Sequence, residues 1–298
     1  MRLLFFGNHD VGIAALETLL ASTEVVGVVA HPIDPEEGVR FASVYDFAQQ
    51  EKLNVIRGRG KDLKVFEFAE AVKPDIIWVT DYRYIIPREL IGVALRGAVN
   101  LHPSLLPKYR GRAPINWAIL GGETEIGLTA HFIDEGVDSG DIIEQIPISL
   151  SVNEDVGDAL SALIPLYRSI TKKVISYFEH YNIPQRPQDI VQGSIFPART
   201  PKDGKIDWSK SAVEIRNLIR AVSRPYPGAF CDFHGEIIRI WKAAVVEEDG
   251  SEHESGEIIK VFGVSKFIVR CGDGWLQVEE WSSDSLVTKQ MNVGVRLL

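Results

Sequence analysis

The chain has 298 residues, 45% of them hydrophobic and 24% charged, proportions of a folded globular protein that exclude a disordered chain or a fibre. Lys and Arg total 32 against 41 Asp and Glu, a formal charge of -9, so bulk electrostatics do not equip it to grip nucleic acid or an anionic membrane. Cys231 and Cys271 are too few for a disulfide framework and lack metal-ligand spacing, and no apolar run reaches the ~18 residues of a membrane span. These features predict a cytoplasmic protein with no metal and no membrane partner.

The first hundred residues alternate short apolar runs with helical patterns. Leu3 to Phe6 has the form of a strand buried on both faces and ends at Gly7. Val11 to Ala21 carries apolar residues at helical spacing, Glu24 to Ala30 reads as a second strand, and Phe41 to Lys52 as a second helix. After the short apolar stretch Asn54 to Ile56, Leu63 to Val72 is helical, and Asp75 to Thr80 and Gly97 to Leu101 are further strands. This alternation predicts a parallel, doubly wound sheet.

Beyond Leu101 the pattern changes. A basic, Pro-containing loop leads to a short helix at Ile115 to Leu120, and strands at Ile126 to Ile133 and Asp141 to Ile148 bracket the turn DEGVDSG. Asp155 to Tyr181 is a long amphipathic helix. Residues 188 to 204 read as a linker, Ala212 to Val222 as a helix, and the remainder as short β-prone runs split by turns, which suggests a small barrel. The predicted division is a Rossmann-like α/β domain over 1–187, the linker, and an OB-like β-barrel over 205–298.

Gly7-Asn-His-Asp-Val-Gly12 lacks the order of a dinucleotide or Walker phosphate loop and reads as a strand-to-helix turn needing small residues. Asn8, His9 and Asp10 nevertheless stand where open α/β sheets bind ligands, at the carboxyl end of the first strand. Asn100 and His102 lie two apart at a strand end and so share a face. The turn Asp134 to Gly140 adds the carboxylates Asp134 and Asp138. Asn, His and Asp without a Ser or Cys nucleophile suit acyl transfer to an external nucleophile. The amide would hold an oxyanion, the imidazole would move a proton, and a carboxylate would orient the imidazole and raise its pKa.

The run Asn100-Leu-His102-Pro-Ser104-Leu-Leu-Pro107-Lys-Tyr-Arg-Gly111-Arg-Ala-Pro-Ile-Asn116-Trp117 resembles the signature loop of the 10-formyltetrahydrofolate-dependent formyltransferases. His131-Phe-Ile-Asp-Glu-Gly-Val-Asp138-Ser-Gly140 resembles that family's second motif. The SLLPxxRG core is shared by methionyl-tRNA and sugar-nucleotide formyltransferases. The longer LLPKYRGRAPINW is closer to enzymes formylating UDP-4-amino-4-deoxy-L-arabinose, although Pro103 stands where those usually carry Gly. Weaker counterparts (FASVYDFA, KPDIIWVTDYRYIIP, ARTPKDGKIDW, RAVSRPYPGAF, CGDGWLQV) extend the resemblance over nearly the whole chain.

The resemblance implies Asn100, His102 and Asp138 as the catalytic trio and N10-formyltetrahydrofolate as co-substrate. It places folate contacts, mostly through backbone groups, at Trp78, Tyr82, Arg83, Ser104, Leu105, Leu106, Asp134, Gly136 and Gly140. Lys108, Arg110, Arg112 and Asn116 become candidates for holding the diphosphate of a nucleotide-linked amino sugar. Arg220, Arg224 and Tyr226 are weaker candidates, Arg220 with a surface or domain-interface role. The acceptor expected is a UDP- or dTDP-linked amino sugar destined for a bacterial surface polysaccharide or lipopolysaccharide, in a homodimer. The competing readings are methionyl-tRNA formyltransferase and a non-enzymatic binding module on the same fold. The charge of -9 and the acidic residues Asp34, Glu36 and Glu37 weigh against a tRNA partner.

Overall fold

The computed structural model describes residues 1–33, 41–233, 235–249, 253–263, 266–283 and 291–298, so the acidic stretch with Asp34, Glu36 and Glu37 lies outside the described residues. The chain forms two compact units. The first comprises residues 1–114, 125–149 and 160–197, and the second residues 115–124, 150–159 and 198–298.

In chain order the elements begin β1 (Arg2–Gly7), α1 (His9–Leu20), β2 (Glu24–Ala30), α2 (Val44–Gln50), β3 (Val55–Arg57), α3 (Leu63–Val72) and β4 (Ile76–Thr80). They continue with α4 (Arg88–Ile91), β5 (Ala98–His102), β6 (Arg110–Gly111), α5 (Pro114–Leu120), β7 (Glu125–Phe132), β8 (Ile142–Ser149) and α6 (Val156–Glu179). The sheet of the first unit is seven-stranded, in the order β3-β2-β1-β4-β5-β7-β8. β3 through β5 pair in parallel, as the β–α alternation predicts, whereas β7 runs antiparallel to both β5 and β8. The sheet is therefore mixed: the connection from β5 to β7 carries β6 and α5, yet it brings β7 back antiparallel to β5. On one face Leu4, Phe6, Val29, Ile77 and Val79 pack with Val65 and Ala69 of α3 and Leu90 of α4. Gly7 is dictated by packing, since a Cβ there would collide with the ring of Phe5.

The chain reverses its direction of travel across the sheet between β1 and β4, which places a switch point at their carboxyl ends. β5 is the next strand over, so its terminal residues stand on the same edge. The segment read as a linker carries β9 (Ile195–Phe196), which pairs in parallel with β6. Such short pairings have no periodicity to reveal them.

The second unit contains α7 (Ala212–Val222) and the strands β10 (Ala229–Phe233), β11 (Glu236–Val246), β12 (Ile258–Phe262), β13 (Lys266–Arg270) and β14 (Trp275–Ser283). α7 starts at a reciprocal cap between Ser211 and Glu214, which satisfies donors that the first helical turn leaves open. The strands form an antiparallel five-stranded sheet in the order β10-β11-β14-β13-β12, without a β10–β12 pairing among the described residues. No helix among the described residues is long and apolar enough to cross a membrane.

Candidate active site

Asn100 and His102 end β5, and Asp138 comes to them from the turn between β7 and β8. Asn100 Nδ2 donates to Asp138 Oδ1 at 3.3 Å, and His102 Nδ1 lies 3.6 Å from Asp138 Oδ2. The carboxylate also accepts the backbone N–H of Gly111 at 2.9 Å, which ties the turn to β6. Asp138 adopts φ +49°, a left-handed conformation that a short polar side chain tolerates better than most. Gln188 Nε2 donates to the carbonyls of Asp138 and Gly140 at 3.0 and 2.7 Å, and so holds the backbone of the same turn.

His102 is 5% exposed, and its Nε2 lies 2.8 Å from the carbonyl of Tyr109. A carbonyl only accepts, so Nε2 carries a hydrogen and, in the neutral ring, Nδ1 presents its lone pair. Burial pushes the imidazole pKa down, and Asp138 and the Tyr109 carbonyl offset this only in part. The expected upward shift is thus reversed in sign, because desolvation outweighs the carboxylate. Burial alone would push the Asp138 carboxyl up, but the His102 charge, His131 and the Gly111 N–H together hold it well below the usual carboxylate range. At neutral pH the pair stands as a carboxylate beside a neutral imidazole.

His131 is a site residue that the sequence did not single out. It faces Asn100 across the β5–β7 ladder, is 2% exposed, and brings Nε2 to 3.1 Å from Asn100 Nδ2 and 3.6 Å from Asp138 Oδ1. Its place within the second motif was visible, but only the antiparallel pairing reveals its neighbours.

The residues expected around folate separate into two groups. Asp134 and Gly136 lie in the exposed turn, where Asp134 Oδ1 accepts from Gly136 N at 3.0 Å and from Ser139 Oγ at 2.7 Å. Gly140 is buried, and a Cβ there would collide with the Phe132 carbonyl. A cleft of about 350 Å³ lined by Phe132, Asp134, Gly140, Asp141 and Gln185 borders this turn. Ser104 is buried with Oγ donating to the Lys108 carbonyl at 2.7 Å; Leu106 is buried and Leu105 partly so.

Trp78, by contrast, is a core residue at 0% exposure, and its Nε1 has no hydrogen-bond partner among the described residues. Central placement on β4 buries it, so a direct folate contact is not available to its ring as it stands. Tyr82 donates its hydroxyl to the Gly58 carbonyl at 2.7 Å and packs edge-on against Phe6, while Arg83 donates its backbone N–H to His31 Nε2 at 3.0 Å.

The cations of the signature loop also divide. Lys108 and Arg112 are exposed, and Arg110 is part-buried with Nε lacking a hydrogen-bond partner among the described residues. Asn116 belongs to the second unit, is 6% exposed, and spends its amide on the Ala221 carbonyl at 2.7 Å. That commitment makes it a packing residue, contrary to the acceptor role expected of it. Arg220 is buried rather than superficial.

A second polar group stands at the sheet switch point. His9 Nδ1 lies 2.6 Å from Asp81 Oδ2, and the amide of Asn8 lies 2.8 Å from His31 Nδ1. Burial is the largest cause that lowers the pKa of His31 to about 3, with Arg83, His9 and Arg112 adding to it and Asp81 opposing. An unfolded His31 binds a proton near pH 6.5 and the folded one resists it, so stability present above pH 6.5 is lost progressively toward pH 3. The expected loss from this group between pH 7 and pH 5 is about 2 kcal/mol. Urea unfolding of His31→Gln should show that much less loss than the parent; equal acid sensitivity would place the effect elsewhere.

Among the described residues no group of three or more His, Cys, Asp or Glu side chains could hold a metal ion. Comparison with known proteins gives the site its family. Residues 1–164 match the Formyl transferase family and residues 199–290 its C-terminal domain. The methionyl-tRNA formyltransferase of Alkaliphilus oremlandii (strain OhILAs) is 34% identical over 94% of this chain and 91% of its own. The structure of WlaRD, a sugar 3N-formyl transferase with dTDP and 5-N-formyl-THF, aligns with TM-score 0.72 and 22% identity over 96% of this chain and 99% of its own. An N-formyltransferase from Helicobacter canadensis, in complex with folinic acid and dTDP-3-aminofucose, also aligns with TM-score 0.72 and 22% identity, over 95% and 100%. The two structures share the fold. Matched over more than half its length by the family, and over nearly all of it by a relative 34% identical, the chain belongs to the formyl transferase family.

Proposed function

We propose that this enzyme transfers a formyl group from N10-formyltetrahydrofolate to a primary amine carried by a phosphate-bearing acceptor. The observation that carries the reading is the convergence of Asn100 and His102 on the Asp138 carboxylate, within the segment matched to the family. The turn 134–140 offers backbone groups beside an open cleft of about 350 Å³, at the lower end of the size range of small-molecule sites. Asp134, Gly136, Gly140 and Ser104 to Leu106 would hold the folate, which supplies the formyl carbon when bound. An ammonium acceptor must lose a proton before it can attack. His102 can take that proton at Nδ1, where Asp138 Oδ2 and the Tyr109 carbonyl stabilise the imidazolium from opposite sides, and can return it to the folate N10, which leaves as the N10–formyl bond breaks and the new N–formyl bond is kept.

Two acceptors fit. Methionyl-tRNA stands first on sequence identity, given the full-length relative at 34%. A nucleotide-linked amino sugar is favoured by the charge of -9 and by the LLPKYRGRAPINW loop, whose Lys108, Arg110 and Arg112 suffice for a diphosphate. Incubation with N10-formyltetrahydrofolate and, in parallel, methionyl-tRNA and a panel of UDP- and dTDP-linked amino sugars tests both, with products read by mass. Formyl-methionyl-tRNA alone settles the first; a formylated sugar with untouched methionyl-tRNA establishes the second. Formylation of neither removes the proposal. With a sugar acceptor, Arg112→Ala should raise KM severalfold with little change in kcat, because a grip on phosphate binds ground state and transition state alike.

A further inference from the structure

Both groups that flank His102 are braced by one stretch of chain outside the two sequence motifs. Residues 186–196 follow α6 and run past both active-site loops. At one end Arg186 exchanges backbone hydrogen bonds with Ile142 of β8, at 2.9 and 2.8 Å. At the other, β9 pairs with β6, and the Phe196 carbonyl accepts the Arg112 N–H at 3.0 Å. Between these anchors the strap reaches the reacting groups at two places, each through one intervening piece of backbone.

The first is Tyr109. It sits at φ +58°, the left-handed region that crowds any residue carrying a Cβ, and so stays there only where its surroundings hold it. Ser194 Oγ accepts the Tyr109 N–H at 2.9 Å, the Ser194 carbonyl accepts the Arg110 N–H at 2.9 Å, and the Tyr109 ring stacks on Phe196 at 5.3 Å and 16°. Gly193 lets the strap come this close, since a Cβ there would stand 2.6 Å from the Pro107 carbonyl. Held in this way, Tyr109 aims its carbonyl at His102 Nε2, 2.8 Å away. The contact needs a hydrogen on Nε2, which the ring keeps when Nδ1 takes a proton.

The second is the turn that carries Asp138, itself left-handed at φ +49°. Gln188 Nε2 donates to the carbonyls of Asp138 and Gly140 and so bridges the turn on either side of Ser139. Carbonyls only accept, which fixes the orientation of the Gln188 amide. We propose that Ser194 and Gln188 are positioning residues for formyl transfer, Ser194 acting through the Tyr109 carbonyl on His102 and Gln188 through the backbone of Asp138. The proposal rests on the assignment of His102 and Asp138 to the reaction. It gives the stretch that reads as a linker in the sequence a part in catalysis, although none of its side chains touches the reacting atoms.

Ser194→Ala removes the acceptor of the Tyr109 N–H, and kcat should fall about tenfold with KM for both substrates within about twofold, as a misaimed base predicts. The acid limb of kcat/KM should also move toward acid, because a carbonyl that has drawn back no longer favours the charged ring. Ser194→Thr, which keeps a hydroxyl, should restore both. Gln188→Met should lower kcat by a similar factor and also raise KM for the folate severalfold, since the turn it releases borders the cleft. Val191→Ala, on the same strap but 95% exposed, should change nothing. In a His102→Ala background Ser194→Ala should cost nothing further. Nitrogen NMR of the unmodified protein should find the neutral His102 ring in its Nε2–H form; a dominant Nδ1–H form would overturn the link to Tyr109 without any mutation. Full activity of Ser194→Ala or of Gln188→Met overturns the proposal. So does a loss in Ser194→Ala that leaves the acid limb in place or adds in full to that of His102→Ala. Normal turnover by His102→Ala would instead overturn the site assignment itself.

Discussion

Asp138→Asn is expected to lower kcat by about 100- to 1000-fold with the fold retained, and His102→Ala by a similar factor. The carboxylate contacts Asn100 directly and stands at ion-pair distance from both His102 and His131, so its loss removes the charge that favours an imidazolium and releases the amide. Combining the two changes should cost little more than either alone, because the groups act as a unit. The pH profile carries its own sign. His102 must be neutral to take a proton, and its pKa lies below 6.5, so the acid limb of kcat/KM should fall below that value. Asp138 raises that pKa, so in Asp138→Asn the limb should move further toward acid. Near-normal turnover by Asp138→Asn would remove this mechanism and leave Asp134 as the carboxylate to test.

Arg220→Ala is expected to produce the largest loss of stability. Arg220 is 7% exposed, its Nε donates to the Glu154 carbonyl at 2.7 Å, and its η nitrogens donate to the Ser151 carbonyl at 2.9 Å and Asn217 Oδ1 at 3.2 Å. Truncation leaves those acceptors unpaired and opens a void, at a cost of about 3 kcal/mol or more. Denaturant unfolding followed on the second unit should detect it. Arg220→Lys should recover only part, because a single ammonium cannot reproduce the planar fork. A change below about 1 kcal/mol for Arg220→Ala would mean that water reaches the carbonyls instead.

How far the sequence disclosed these features depended on whether the physics involved was local. The run Leu3 to Phe6 announces a strand buried on both faces, and α7 is bounded as predicted because its Ser211–Glu214 cap is written within four consecutive residues. The antiparallel course of β7 was not disclosed, since an apolar alternation carries no direction. His131 escaped notice for the same reason: its importance lies in facing Asn100 across two strands, and a lone histidine in a buried strand has no signature. Burial misdirected the reading in the opposite sense at Asn116, whose residue type suggests contact with ligand until packing shows it enclosed. The sign of the His102 shift failed likewise, because spacing can name a charged neighbour but cannot weigh it against desolvation.

The pairing of β6 with β9 bears on the order in which the site can be assembled during synthesis. Gly111, whose N–H holds Asp138, is pinned by Phe196, and a side chain at Gly111 would collide with that residue's carbonyl. Asn100, His102, His131 and Asp138 have therefore all left the ribosome well before the strand that braces their loop can arrive. A nascent chain stopped at residue 187 possesses every reacting group yet lacks both this brace and Gln188, so competence to formylate should emerge only as the chain grows past Phe196.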